Sequence, residues 1–193
     1  MASSGIRSRL AQAQWALKPQ DLAMGFKLAV LGLQRLSFAA LADQMCLSVF
    51  EAHACVSRLL ASKLLTEIDG QLRLQMAAFE PLVLLAAAHV FPPVRGEVTM
   101  GFVTAHGAAP LRSKLVLADD LPPVWPHPDG DTRGVSLLAL YPKLPAAALK
   151  DARLYECLAL FDSLRIGQAR ERELAKTLLQ ERLRAPHPKP EPA

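Results

Sequence analysis

The sequence predicts an α+β protein: an N-terminal head of three helices and a β-hairpin, followed by a mostly helical, proline-rich C-terminal region. Three observations predict it. Apolar residues recur at helical spacing from Pro19 to about Leu60, and the Ser-x-x-Glu pattern at Ser48 and Glu51 marks a helix start within that stretch. Asp69-Gly70 stands between two short alternating runs, which is the signal of a tight hairpin. Ten of the fifteen prolines fall between Pro81 and Pro145, a texture that excludes a long regular helix or a central strand there.

Residues 1–17, rich in Ser, Gln and Ala with Trp15 near their end, read as a flexible start or a short helix that docks late. The first helix opens at Pro19, pre-set for a first helical turn, with Leu22, Phe26, Ala29 and Val30 on one face and Gly32 as its stop. Ser37 is the natural N-cap of a second helix running through Leu41 and Ala42 to about Gln44. The third begins at Ser48 and turns Ala52, Cys55, Val56, Leu59 and Leu60 to one side. The hairpin comes next, because a type I′ turn needs positive φ at both central residues, which Asp-Gly supplies. Residues 76–90 form a linker helix broken or restarted at Pro81. Residues 91–185 form a region of loops with short strands near 97–104 and 134–140, closed by helices over 152–165, capped by Asp151, and 168–184. Residues 186–193, where every second residue is proline, read as a disordered tail.

Hydrophobic residues make up 51% of the 193, enough to bury a core and exclude global disorder. No apolar run approaches the roughly 20 residues of a membrane helix, and the N-terminus lacks a secretory apolar segment, so no membrane partner is expected and the expected compartment is the cytoplasm. The net charge of +4 is unevenly spread. Residues 1–75 carry eight Lys/Arg against five Asp/Glu, residues 76–164 seven against nine, and residues 165–193 seven against four. Both ends are therefore basic, as suits segments that approach phosphate. Cys46, Cys55 and Cys157 are too few and too scattered for a disulfide framework or a zinc site, and read as reduced, small apolar residues.

Between Phe38 and Ser57 the chain reads FAALADQMCLSVFEAHACVS. Ala42 is small where two helices would cross, and Leu41, Met45, Leu47, Ala52 and Cys55 supply the apolar contact between them. This segment resembles the helix-turn-helix of bacterial winged-helix regulators, broadly similar to the multiple-antibiotic-resistance and arsenic-type groups. The resemblance spans residues 18–75 and does not extend to the C-terminal half. One position departs from it: Cys46 stands where those regulators carry Gly in the turn. The resemblance implies a winged helix-turn-helix DNA-binding domain with Ser48, Val49, Phe50, His53, Ala54 and Ser57 facing the major groove. Ser48 would open the recognition helix so that its amides and dipole face a phosphate. His53 and Ser57 would hydrogen-bond to bases or phosphates, and Val49 and Phe50 would touch thymine methyls or sugar. Arg58 and Lys63 at the far end of that helix, and Arg35 between the first two helices, are implied phosphate contacts; Arg73 on the wing would enter a minor groove.

The expected function is a DNA-binding transcriptional regulator, a dimeric repressor of its own or a neighbouring operon, with double-stranded DNA and a second copy of the chain as partners. The C-terminal region would dimerise, bind a protein partner or take a small-molecule effector. The alternative is a winged helix that binds protein, in the manner of an antitoxin, through Val49 and Phe50. No enzyme, cofactor or metal is expected. Asp119, Asp120, Asp129 and Asp131 lie in turn-forming composition, and His89, His106 and His127 are isolated from any nucleophile motif. In the final helix Leu174, Leu178, Leu179 and Leu183 make a narrow stripe, open to a core-facing or a dimer-forming reading. Trp125 among its prolines reads as a packed aromatic ahead of a pocket anchor.

Overall fold

The computed structural model describes residues 16–32, 36–68, 70–115 and 121–185. The expectations placed on residues 1–15, Arg35, Asp69, Asp119, Asp120 and the tail 186–193 lie outside the described residues. The architecture is α+β. Helices α1 (Pro19–Leu31), α2 (Phe38–Gln44) and α3 (Val49–Ala61) lead into an antiparallel hairpin, β1 (Leu65–Ile68) and β2 (Gln71–Leu74), in the register Leu65↔Leu74 to Ile68↔Gln71. Gly70 takes φ +69° in the turn.

The local chemistry accounts for each boundary. Asp21 accepts the Lys18 backbone N–H at 2.8 Å, and Pro19 fills the first turn of α1, where no intrahelical donor is needed. The Ser37 side chain caps α2 by accepting from the Ala40 N–H. Both α2 and α3 end in a 6→1 and 5→2 pair of hydrogen bonds. Leu47 N–H reaches Ala42 and Cys46 N–H reaches Asp43; Leu64 N–H reaches Leu59 and Lys63 N–H reaches Leu60. This closure puts the residue after the cap in the left-handed region. Cys46 (φ 51°) and Lys63 (φ 59°) occupy it, although neither is glycine.

Helix α1 is buried around its whole circumference and is the axis of the molecule. On one side it meets α3. On the others, Phe26 packs edge-on against Phe79 at 5.5 Å between centroids and against Phe161 at 5.6 Å. Phe79 belongs to the next helical run, α4 (Met76–Pro81), which continues as a π-helical segment (Leu82–Ala86) into α5 (Ala87–Val90). The expected break at Pro81 does not occur. The helix runs on through Pro81, with Leu82 N–H bonding Ala78 four residues back, and widens only in the following turn, where Ala87 N–H bonds Leu82, five residues earlier. Phe79, Val83 and Ala87 face inward as one seam, which makes this run part of the core and not a free linker.

The proline-rich stretch is ordered. Strands β3 (Arg95–Val103), β4 (Pro123–Pro126) and β5 (Thr132–Leu137) each pair with the other two: β3 antiparallel to both, β4 parallel to β5. Three strands close this tightly because no side chain stands at Gly101, where a Cβ would collide with the Trp125 carbonyl. Strand β4, read from sequence as loop, places its two prolines at its ends, and the Pro123 carbonyl accepts from Thr104 N–H at 2.9 Å. Three helices complete the described chain: α6 (Leu144–Leu149), unforeseen, then α7 (Ala152–Ile166) and α8 (Ala169–Arg184). Asp151 caps α7 as expected, accepting from Arg153 and Leu154 N–H. Trp125 is a packed core residue whose Nε1 donates to the buried Asp162 at 2.7 Å, a carboxylate that also accepts from Thr104 and Arg165.

The stripe on α8 resolves toward the core. Leu178, Leu179 and Leu183 are buried against α7 and its neighbours, so they are not available as the dimer surface considered from sequence. Most of the buried apolar residues form one continuous cluster from Leu22 to Leu183, shared by the head and the C-terminal half.

Candidate functional site

Helix α3 has two faces. Ala52, Cys55, Val56 and Leu59 are packed inward, while Ser48, Val49, Phe50 and His53 are exposed and Ser57 is half-exposed. The resulting surface is partly apolar, with Phe50 82% and Val49 52% accessible. The His53 ring rests against Phe38 at 5.0 Å, and the Ser57 hydroxyl donates back to the His53 carbonyl at 2.9 Å. Lys63 follows the helix in solvent, and Arg73 projects from β2 opposite Thr66. The structure thus brings seven of the nine expected residues, Ser48, Val49, Phe50, His53, Ser57, Lys63 and Arg73, onto α3 and the hairpin beside it with accessible surface. Arg35 lies outside the described residues.

Arg58 is a correction. Its guanidinium turns inward and holds Asp21 in a bidentate pair, Nε to Oδ2 and Nη2 to Oδ1, both at 2.7 Å. The Arg58 side chain is 11% exposed and that of Asp21 fully buried. This pair fastens α3 to α1 and leaves no cation for a phosphate. Cys55 lies beside it, its thiol pushed up to about 12 by burial first and by Asp21 next, which keeps it protonated. Cys157 is likewise raised to about 12 by burial.

The N-terminus of α3 also differs from the expected phosphate seat. Ser48 N–H donates to Glu51 Oε2 at 2.8 Å and Glu51 N–H donates to Ser48 Oγ at 3.2 Å, so the capping box is closed. The Ser48 backbone bond, then its hydroxyl, holds the Glu51 carboxyl below the ordinary range. A carboxylate therefore already occupies the positive end of the helix.

Two elements absent from any sequence reading complete the site. Tyr141, buried, donates its hydroxyl to the Met45 carbonyl at 2.6 Å, and Lys150 Nζ donates to the Asp43 carbonyl at 2.7 Å. Residues 141 and 150 are thereby both held at the C-terminal end of α2, where the turn to α3 begins. They are about a hundred positions downstream and carry no motif, so nothing in the sequence pattern links them to α3. Second, a groove of about 450 Å³ opens between the last turn of α1, α2, α3 and the hairpin. Leu28, Leu31, Phe38, Val56 and Leu72 line it, with His53 at its edge.

Among the described residues no His, Cys, Asp or Glu cluster is arranged to hold a metal ion, and no helix is long and apolar enough to cross a membrane. No family model, curated protein or solved structure matches the chain.

Proposed function

We propose that residues 18–75 act as a winged helix that binds double-stranded DNA, with α3 in the major groove and the hairpin as the wing, and that the protein is a transcriptional regulator. The observation that carries this reading is the division of α3. Its inner face is locked to α1 by apolar packing and the Arg58–Asp21 pair, while the outer face is exposed beside Lys63 and Arg73, whose side chains form no ion pair among the described residues. A reading helix needs that rigidity behind it and that charge around it. The face offers His53 and Ser57 as polar readers and Val49 and Phe50 as partners for thymine methyls, so discrimination between bases is modest and backbone contacts dominate. The two-fold symmetry of operators argues for a dimer, with a surface other than the α8 stripe, and repression of its own or a neighbouring operon is part of the same proposal.

Fluorescence anisotropy of the full chain against labelled duplexes from its own upstream region tests the reading. Lys63→Ala and Arg73→Ala should each weaken binding and each lower the salt slope by about 1. No binding to any fragment at low salt overturns it.

The exposure of Phe50 favours one other reading, a protein partner seated on Val49 and Phe50. Such docking loses little with rising salt, falls with Phe50→Ala and is indifferent to Lys63→Ala.

A further inference from the structure

We infer that Lys143, supplied by the C-terminal half, is a phosphate-binding group of the same interface and closes it at the N-terminal end of α3; the inference rests on the DNA-binding reading above. A helix N-terminus ordinarily receives phosphate through its free amides and dipole. Here the Ser48–Glu51 box consumes two of those amides and sets a carboxylate among them. A phosphate arriving at this end of α3 meets a negative charge, and the first turn of α3 contains no cation of its own. An interface built only from residues 18–75 would then be basic at the far end of α3 and on the wing, and acidic where the helix enters the groove.

The chain segment at 141–150 changes that balance. It is pinned at both ends to the C-terminal end of α2, by the Tyr141 hydroxyl on the capping Met45 and by Lys150 on Asp43. Lys143 lies between the two anchors, exposed, and close enough for its charge to act on Glu51. The two lysines differ in availability. Lys150 is committed to the carbonyl and carboxylate of Asp43, whereas the Lys143 ammonium forms no ion pair or hydrogen bond among the described residues. Helix α3 has 13 residues and so is about 20 Å long. Lys143 and Lys63 therefore leave one free cation near each end of the helix, where each would meet backbone phosphate.

A purely local role, neutralising Glu51, makes a different prediction: stability would shift while the salt dependence of binding would not. The test uses the full-length chain and the same labelled duplexes over about 50–200 mM salt. Lys143→Ala should lower the slope of log Kobs against log salt by about 0.9 and weaken binding about tenfold at the low end. Its thermal midpoint should match wild type, and Arg172→Ala, on the exposed side of α8, should leave slope and affinity unchanged. If wild type binds and Lys143→Ala keeps the wild-type slope, Lys143 lies outside the interface, while the reading of α3 survives on Lys63 and Arg73. If wild type binds no duplex at the lowest salt, both readings fall together.

Discussion

Lys63 sits in a conformation that glycine adopts without strain, and it does so at the candidate DNA surface. A left-handed residue costs an L side chain about 1–2 kcal/mol, of which Gly would give back roughly half through its greater freedom in the unfolded chain. Lys63→Gly should therefore raise stability by about 0.5–1 kcal/mol in urea unfolding and, on the proposed reading, weaken duplex binding in the same protein. A variant that is more stable but binds as wild type would show that the cation at this position has no role in binding. Arg58 behaves in the opposite sense. Removing it leaves Asp21 buried without its partner, which costs about 3–5 kcal/mol, so loss of binding in Arg58→Ala would report unfolding.

At the scale of elements, the closeness of α1 to α4 depends on one missing side chain. A Cβ at Gly25 would overlap the Phe79 ring, and Phe79 is fully buried with nowhere to swing. Alanine at a helix interior ordinarily gains about 1 kcal/mol over glycine. The overpacking it causes here costs about 1–3 kcal/mol, so Gly25→Ala should be destabilising by thermal melt. The head was legible in the sequence because its signals are local: the Ser37 and Ser48 caps, the periodic apolar faces and the Asp-Gly turn each act within a few residues. The same holds for α7, capped by Asp151, and for α8. Strand β4 and helix α6 were not legible, since Pro122, Pro123, Pro126 and Pro145 read as breakers wherever they stand. In the fold they fall at element ends, where a missing N–H is harmless. The candidate site was legible on α3 and the hairpin. It was misread at Arg58, because spacing places a residue on a helix without saying which way a long side chain turns, and the proposed Lys143 was invisible for want of any local link to α3.

Across the whole molecule, the head and the C-terminal half are joined by the ion pair between Lys27 of α1 and Asp151, 2.6 Å apart and largely buried. Burial pushes the Asp151 carboxyl up, but the Lys27 hydrogen bond, the Leu154 and Arg153 amides and the lysine charge outweigh it and hold it below its ordinary value. A carboxyl depressed in the folded state stabilises above its unfolded pKa, near 4, and that contribution is lost as pH falls through the folded value. The stability advantage of wild type over Lys27→Met should thus be greatest at neutrality and shrink as pH falls through the acid range. Urea midpoints at the two extremes check this; an advantage unchanged in acid would show that the pair contributes no pH-dependent stability.

Phe26, the pivot of the head, is walled by Phe79 and Phe161, and neither belongs to residues 18–75. Severed from the C-terminal half, the head would present that aromatic socket to water. The two halves are therefore not self-sufficient units, and a substitution on α7 is answerable to the shape of α1.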